Sequence, residues 1–360
     1  MNTAAQPQTN LGRVLAIDVQ ANATARKPQR IPALDFTKGT LVLIMVLYHW
    51  VNYFIGPQWE YYEYLRFLTP SFIFITGFLV SNVYLSRYAA ADSRLSKRLF
   101  TRGLKLLAIF IALNLARTLI IPVLGTGSLV QNSLDPRNIF TVFVSGNLPV
   151  TGGKLVSFSI LVPISYLLMF SGALMLPYRF YKYTFHVVCV LLLLAVSILR
   201  LTDVQSYNLE FVTIGMLGVV TGFLSIETIN HFVRRPYTLA FAYPCYTVAI
   251  TLWGVPFPLL VVGVFLSLMV IYLVGDRAGE SGIISTEIIL LGKYSLLGYL
   301  SQIAILQILA AIFHRLDLGL AGLLLSFLAA FALTIATAEM VDRGRAKRAT
   351  IDRLYKAVFA

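Results

Sequence analysis

Apolar residues in this chain come in blocks of about twenty, one after another, and that pattern restricts the fold more than any motif does. The hydrocarbon core of a bilayer takes about 20 helical residues, and a helix satisfies every backbone N–H and C=O within the segment itself. Ten blocks fit this length, at 39–56, 65–86, 103–122, 155–177, 183–200, 208–226, 237–254, 257–275, 294–313 and 318–340. The 360 residues are 58% hydrophobic and only 12% charged, with a mean hydropathy of +0.78. A soluble domain of this size needs more polar residues to cover its surface. Strand-like alternation is absent, which argues against a membrane β-barrel. The expected fold is all-α, a polytopic integral membrane bundle of about ten transmembrane helices.

The formal net charge of +13 would suggest nucleic acid in a soluble protein. In a polytopic chain, basic residues instead collect in loops that stay in the cytoplasm. With ten spans, the N-tail, the 87–105 segment, the connections near 180, 235 and 277–293, and the C-tail hold 22 Lys and Arg. The opposite side holds 6, and Lys38 at the mouth of the first span completes the 29. This bias places both termini in the cytoplasm of a multi-pass protein of the inner (cytoplasmic) membrane, with no nucleic-acid partner expected. The chain divides into a polar N-tail (1–30), a transmembrane domain (31–341) and a basic C-tail (342–360) that suits a membrane surface. No removable signal peptide opens it. The external loop at 123–154 is rich in Gly, Ser, Asn and Pro, which favour turns. Cys189 and Cys245 give neither a disulfide framework nor metal spacing, and no metal site is expected.

Polar groups inside spans are costly, so chemistry is sought there. Lys38 and His49 lie eleven residues apart in the first span. At 100° per residue both fall on one stripe, about 16 Å apart along the axis. A cation thus stands at the cytoplasmic mouth, with a titratable imidazole deep on the same face. A histidine at that depth either bonds a neighbouring helix or moves protons, and a lysine flanking a span is also ordinary positive-inside material. Asp35 reads as the N-cap of this helix. In the second span Thr69, Thr76, Gly77, Val80 and Ser81 form a small, polar stripe suited to close packing. Arg94, Arg98, Arg102 and Lys105 line one face of a helix and could hold phosphates or anionic lipid. Asn114 and Arg117, one turn apart, and Tyr299 and Gln302 could contact an acceptor or merely a neighbouring helix. His186, His231 and His314 fall at span ends or in a basic loop, and Glu210 and Glu339 at span ends where snorkelling is cheap. No P-loop, Rossmann fingerprint, HExxH or nucleophile elbow is present.

The spacing Lys38–ten residues–His49 resembles the Arg/Lys-x10-His motif of the acyltransferase-3 family. The wider stretch of Asp35, Lys38, Gly39 and His49, followed by SFIFITGFLVS, is similar to the start of related membrane acyltransferases. These are the heparan-α-glucosaminide N-acetyltransferase group and the glucan succinyltransferases. GKYSLLGYLSQI at 292–303 resembles a late span of the same superfamily. Many acyltransferase-3 members carry a histidine near the position of Gln302, and this chain departs from them there. The resemblance implies an integral membrane O- or N-acyltransferase that moves an acyl group from cytoplasmic acyl-CoA to a hydroxyl or amine of a sugar or other envelope acceptor, glycan or lipid. Acyl-CoA is then a co-substrate, with no permanently bound cofactor. His49 is expected as general base or acyl relay, assisted by Lys38. Lys38, Arg98 and Arg102 are expected on the donor, and Asn114, Arg117, Tyr299 and Gln302 on the acceptor. The alternative is a proton-coupled secondary transporter or lipid flippase using the same histidine.

Overall fold

The first helix, α1 (Pro32–Phe54), begins at a proline, whose missing N–H costs nothing in a first turn that has no acceptor for it. Asp35 therefore sits inside that turn and not at the N-cap. Its carboxylate reaches one turn on to the Lys38 ammonium at 2.5 Å. The computed structural model describes residues 30–56, 59–85, 93–123, 141–146, 158–279, 282–316 and 319–359. Contacts set Pro32–Ala360 apart as one unit from Met1–Ile31. No strand occurs among the described residues.

After α1 come the short α2 (Trp59–Leu65), α3 (Leu68–Leu79), which runs into a π-helical turn at Val80–Leu85, and α4 (Ser93–Val123). Next are α5 (Leu161–Tyr178), α6 (Thr184–Leu201), α7 (Tyr207–Thr221) and α8 (Ile226–Val233). The chain continues with α9 (Pro236–Trp253), α10 (Phe257–Ala278), α11 (Ile283–Lys293), α12 (Ser295–Leu316), α13 (Gly319–Lys347) and α14 (Ala349–Phe359). Each predicted span coincides with one of these helices or, in the second span, with α3 and its flanking turns. Eight segments are individually long and apolar enough to cross a bilayer. The predicted span 208–226 coincides with α7 only as far as Thr221; α8 then sets off at 106°, because Ser225 caps a new helix by accepting from the Thr228 N–H. The segment predicted at 237–254 is helical over 18 residues, but its tyrosines and threonines make it less apolar than the eight. The fold is an all-α, polytopic membrane bundle.

Three close crossings set the positions of its polar side chains. At the first, α11 lies against α1: a Cβ on Gly39 would stand 1.9 Å from the Ile288 carbonyl oxygen, and one on Gly292 only 1.7 Å from that of Asp35. Only glycine lets two backbones approach so far. The connection 277–293, read above as a loop, thus contains a helix docked beside Lys38. The second crossing joins α3 to α7, where Gly77 meets Gly215 and Ser81 Oγ donates to the Val219 carbonyl at 2.6 Å. Gly77, Val80 and Ser81 of the small stripe are packing; Thr69 and Thr76 line cavities instead. The third joins α4 to α5 through Gly103, Gly172 and a 2.6 Å bond from Ser96 Oγ to the Gly172 carbonyl. Leu95, Leu99, Leu106 and Phe110 bury the inner face of α4 in the main core, so its basic stripe runs along the flank of the bundle.

The tail beyond residue 342 is structured too. It completes α13, and α14 folds back on it through Arg345, whose guanidinium binds Asp352 at 2.7 Å. Glu210 is not a snorkelling end residue: it is buried and holds Arg200 at 2.8 Å.

Candidate functional site

A cavity of about 200 Å³ opens at the Lys38 end of the bundle, between α1, α3, α4, α5, α12 and α14. Its inner wall is apolar, with Phe72, Leu106, Leu161 and Leu168, and Thr76, Ser295 and Tyr299 add polar edges. Three cations reach it from separate elements: Lys38 from α1, Arg102 from α4 and Lys293 from the end of α11. The Gly39/Gly292 crossing brings the first and third together. Arg102 is set by the π-helical turn, where it donates to the Tyr84 hydroxyl. The same ring attracts two cations through its π face. The Arg98 guanidinium carbon lies 5.8 Å from the Tyr84 ring centre. That of Arg102 lies 5.9 Å from it. Arg102 also lines a second, open groove with Arg94, Lys97, Arg98, Thr101 and Lys105. A cationic track therefore leads along the flank of α4 into the cavity through one shared arginine.

Carboxylates hold two of these cations in place. Lys38 pairs with Asp35, and Lys293 binds Asp342 at 2.6 Å, an oxygen that the Tyr294 hydroxyl also reaches at 2.6 Å. Arg345 donates to the same hydroxyl at 3.0 Å and bridges to Asp352 on α14. Hydrogen bonds from Lys356 and Arg345 hold the Asp352 carboxyl below the usual carboxylate range. Tyr355 and Phe359, on the inner face of α14, complete the cavity wall.

His49 lies at the other end of α1. It is half-buried, with its ring edge-on to Tyr48 at 5.1 Å. The neighbouring Tyr48, with Met45, Tyr62, Glu63, Arg66 and Thr69 among others, lines another cavity of about 400 Å³, of which His49 is not itself a lining residue. Tyr62 donates its hydroxyl to the Asn52 side chain, which in turn donates to the Tyr48 carbonyl at 3.1 Å. The stripe from Lys38 to His49 is thus closed in its middle by Val42 and Met45, 0% and 3% exposed. Sequence places the two residues on one face; the structure gives each its own end.

The expected acceptor residues divide. Tyr299 lines the Lys38-end cavity. Gln302, one turn further, is fully buried, and neither side-chain polar atom has a hydrogen-bond partner. Such an orphaned amide is costly and marks a place that a water or ligand would satisfy. Asn114 is away from both cavities and donates to the Phe110 carbonyl of its own helix at 2.9 Å. The Arg117 side chain lies outside the described residues, as do the N-tail and most of the loop 123–154. Sequence reasoning did not single out Lys293, Tyr84, Tyr355 or Phe359. For Lys293 a signal existed: it sits inside GKYSLLGYLSQI, beside the glycine of the close crossing.

His186 stacks on Phe223 at 5.5 Å and His231 contacts Arg235 at 3.2 Å, both apart from the two cavities. Among the described residues no group of three or more His, Cys, Asp or Glu side chains could hold a metal ion.

Fold and site together define a multi-pass helical membrane protein with a cation-lined cavity at one end of its first helix and a half-buried histidine towards the other. No family model, curated protein or solved structure matches the chain.

Proposed function

We propose that the protein is a membrane acyltransferase that takes its acyl group from cytoplasmic acyl-CoA and hands it to a hydroxyl or amine of an envelope glycan or lipid. The convergence of Lys38, Arg102 and Lys293 on one mainly apolar cavity carries this reading. Phosphates suit guanidinium and ammonium donors, whereas an acyl chain suits the wall of Phe72, Leu161 and Leu168. The groove from Arg94 to Lys105 leads an anion to the same place. This end is taken as cytoplasmic from the basic bias of the sequence. His49 serves as the base: its imidazole takes the proton of the acceptor hydroxyl or amine, whose oxygen or nitrogen attacks the thioester carbonyl; the C–S bond then breaks and the imidazolium returns the proton to the leaving sulfur, so CoA departs as the thiol. Tyr48, Tyr62, Glu63 and Arg66 supply the aromatic and polar surface beside it where an acceptor would lie. The acyl end must pass Val42 and Met45 to reach the histidine, so the stripe opens during turnover.

His49→Asn tests the assignment. It should lose roughly 10²–10⁴-fold in turnover, the usual worth of general base catalysis. Acyl-CoA binding should hardly change, since the cations lie about three turns away. The measurement is single-turnover release of CoA at saturating donor, with expression and melting temperature matched to the parent. A well-folded variant that turns over at the parental rate removes His49 from the mechanism.

A further inference from the structure

The C-terminal helix α14 has unlike faces, and Tyr355 and Phe359 on the inner one line the Lys38-end cavity. Ile351, Tyr355 and Phe359 recur every four residues and form that inner face. Ile351 packs at Gly344, the Tyr355 ring stands edge-on to Tyr294 at 5.3 Å, and Phe359 stacks on Tyr355 at 5.0 Å. The Arg345 guanidinium sits over the Tyr355 ring at 4.2 Å and binds Asp352, which also holds Lys356 at 2.5 Å. Arg348 before α14 is exposed, as are Arg353 and Lys356 on one flank of the helix and Leu354 and Val358 on the other, the last two 65% and 37% accessible. Helix α13 crosses the bundle and ends at Lys347, and α14 starts two residues later, so α14 emerges where a membrane-crossing helix leaves the bilayer. A helix with cations on one exposed flank and apolar residues on the other, at that depth, is complementary to anionic headgroups and the acyl boundary below them.

We propose that α14 is a lid operated by the charge of the lipid surface: its inner face closes the cavity, and an anionic leaflet draws its outer face away and opens it. The hinge is Arg348, where the helical run breaks, and the latch is the Arg345–Asp352–Lys356 cluster with Tyr355. A cavity of about 200 Å³ behind two aromatic rings is small for a nucleotide-bearing thioester, and swinging these rings out would join it to the surface. The consequence for donor entry rests on the acyl-CoA reading above; the lid itself does not.

The test therefore uses no donor. The full chain carrying Thr76→Cys and Cys245→Ser is placed in nanodiscs of phosphatidylcholine alone or with phosphatidylglycerol, and labelling by a neutral, water-soluble maleimide is timed. Thr76 lines the cavity, Cys189 is buried, and glutathione added to the same nanodiscs reports any effect of lipid on the reagent itself. Labelling of Thr76→Cys should be at least about tenfold faster with phosphatidylglycerol, since each basic residue near an anionic surface contributes severalfold. Adding Arg348→Gln and Arg353→Gln, which leave the Arg345–Asp352–Lys356 latch in place, should abolish that difference. Adding Tyr355→Ala and Phe359→Ala should make labelling fast in both lipids. Equal rates in the two lipids, a difference that survives neutralisation, or slow labelling after removal of the rings would each overturn the lid. Lipid-dependent labelling without acyl-CoA binding would overturn the donor reading alone.

Discussion

Arg102 is the residue on which the cation-lined site turns, because it belongs to both the flank groove and the cavity. Hydrogen bonds to charged groups are worth about 1.5–3 kcal/mol, so Arg102→Gln should weaken acyl-CoA binding roughly 10- to 100-fold by calorimetry, most at low salt. Since Arg102 also donates to Tyr84, the companion Tyr84→Phe keeps the ring and removes only that hydroxyl. An equal loss in both variants would mean that the arginine acts by positioning and not by contact. Glu287, on α11, offers a second test. Burial first, and then the neighbouring Glu339 carboxylate, push its carboxyl above the usual glutamate range. The folded state therefore holds a proton that the unfolded chain has already lost. Stability should fall as pH rises from about 4 through the raised value, and Glu287→Gln should remove that slope and melt higher at neutral pH. Thermal melts across that range decide the sign. Lys38, His49 and Tyr299 were legible because polar residues inside apolar blocks stand out one at a time. Lys293 and Tyr84 were not: each looks like an ordinary flanking residue until tertiary crossings bring it to Lys38 or Arg102.

Helices long enough to cross a bilayer declare themselves by length and hydropathy, and the sequence displays all of those in this chain. Helices α11 and α14, of 11 residues each, do not. Isolated helices of that length are marginal in water, so packing and not propensity must hold them. For α11 the packing is the Gly39/Gly292 crossing, which a sequence shows only as two glycines far apart. Gly→Ala inside a helix ordinarily gains roughly 0.5–1 kcal/mol. Here the sign should reverse, because the added carbon at Gly292 would meet the Asp35 carbonyl and the helices would have to part. Overpacking of this kind costs about 1–3 kcal/mol or more. Gly292→Ala should thus lower the melting temperature and, by moving Lys293 from Lys38, weaken donor binding in the fraction that folds. A variant that melts higher than the parent would show that α11 is not clamped as the structure has it.

At the scale of the whole molecule, the cytoplasmic placement of Lys38 depends on which segments cross the membrane. Eight segments are long and apolar enough to cross, which leaves α7 and α9 to be settled. Helix α9 is joined to α10 by only Gly254, Val255 and Pro256, and Gly263 of α10 lies against the Tyr246 ring of α9, so the two run as an antiparallel hairpin. If α10 crosses, α9 returns beside it. Helix α7 must then cross as well, or the termini end on opposite sides. It has only 15 residues. A helix of that length extends roughly 22 Å, short of a bilayer core of about 30 Å. Yet Ile214, Met216 and Val219 are wholly buried against α3 and α5, as befits a helix inside the bundle. Ten crossings, with α8 turned aside at the Arg234 end, are therefore the arrangement to test. Reporter fusions separate the cases. A fusion at Asp203 should read external, one at Arg235 cytoplasmic, and one at the C-terminus cytoplasmic. If neither α7 nor α9 crossed, the C-terminus would still read cytoplasmic, but Arg235 would read external together with Asp203. An external C-terminus would put Lys38, Arg102 and Lys293 on one face with a different substrate pool, and acyl-CoA would no longer be the donor to test.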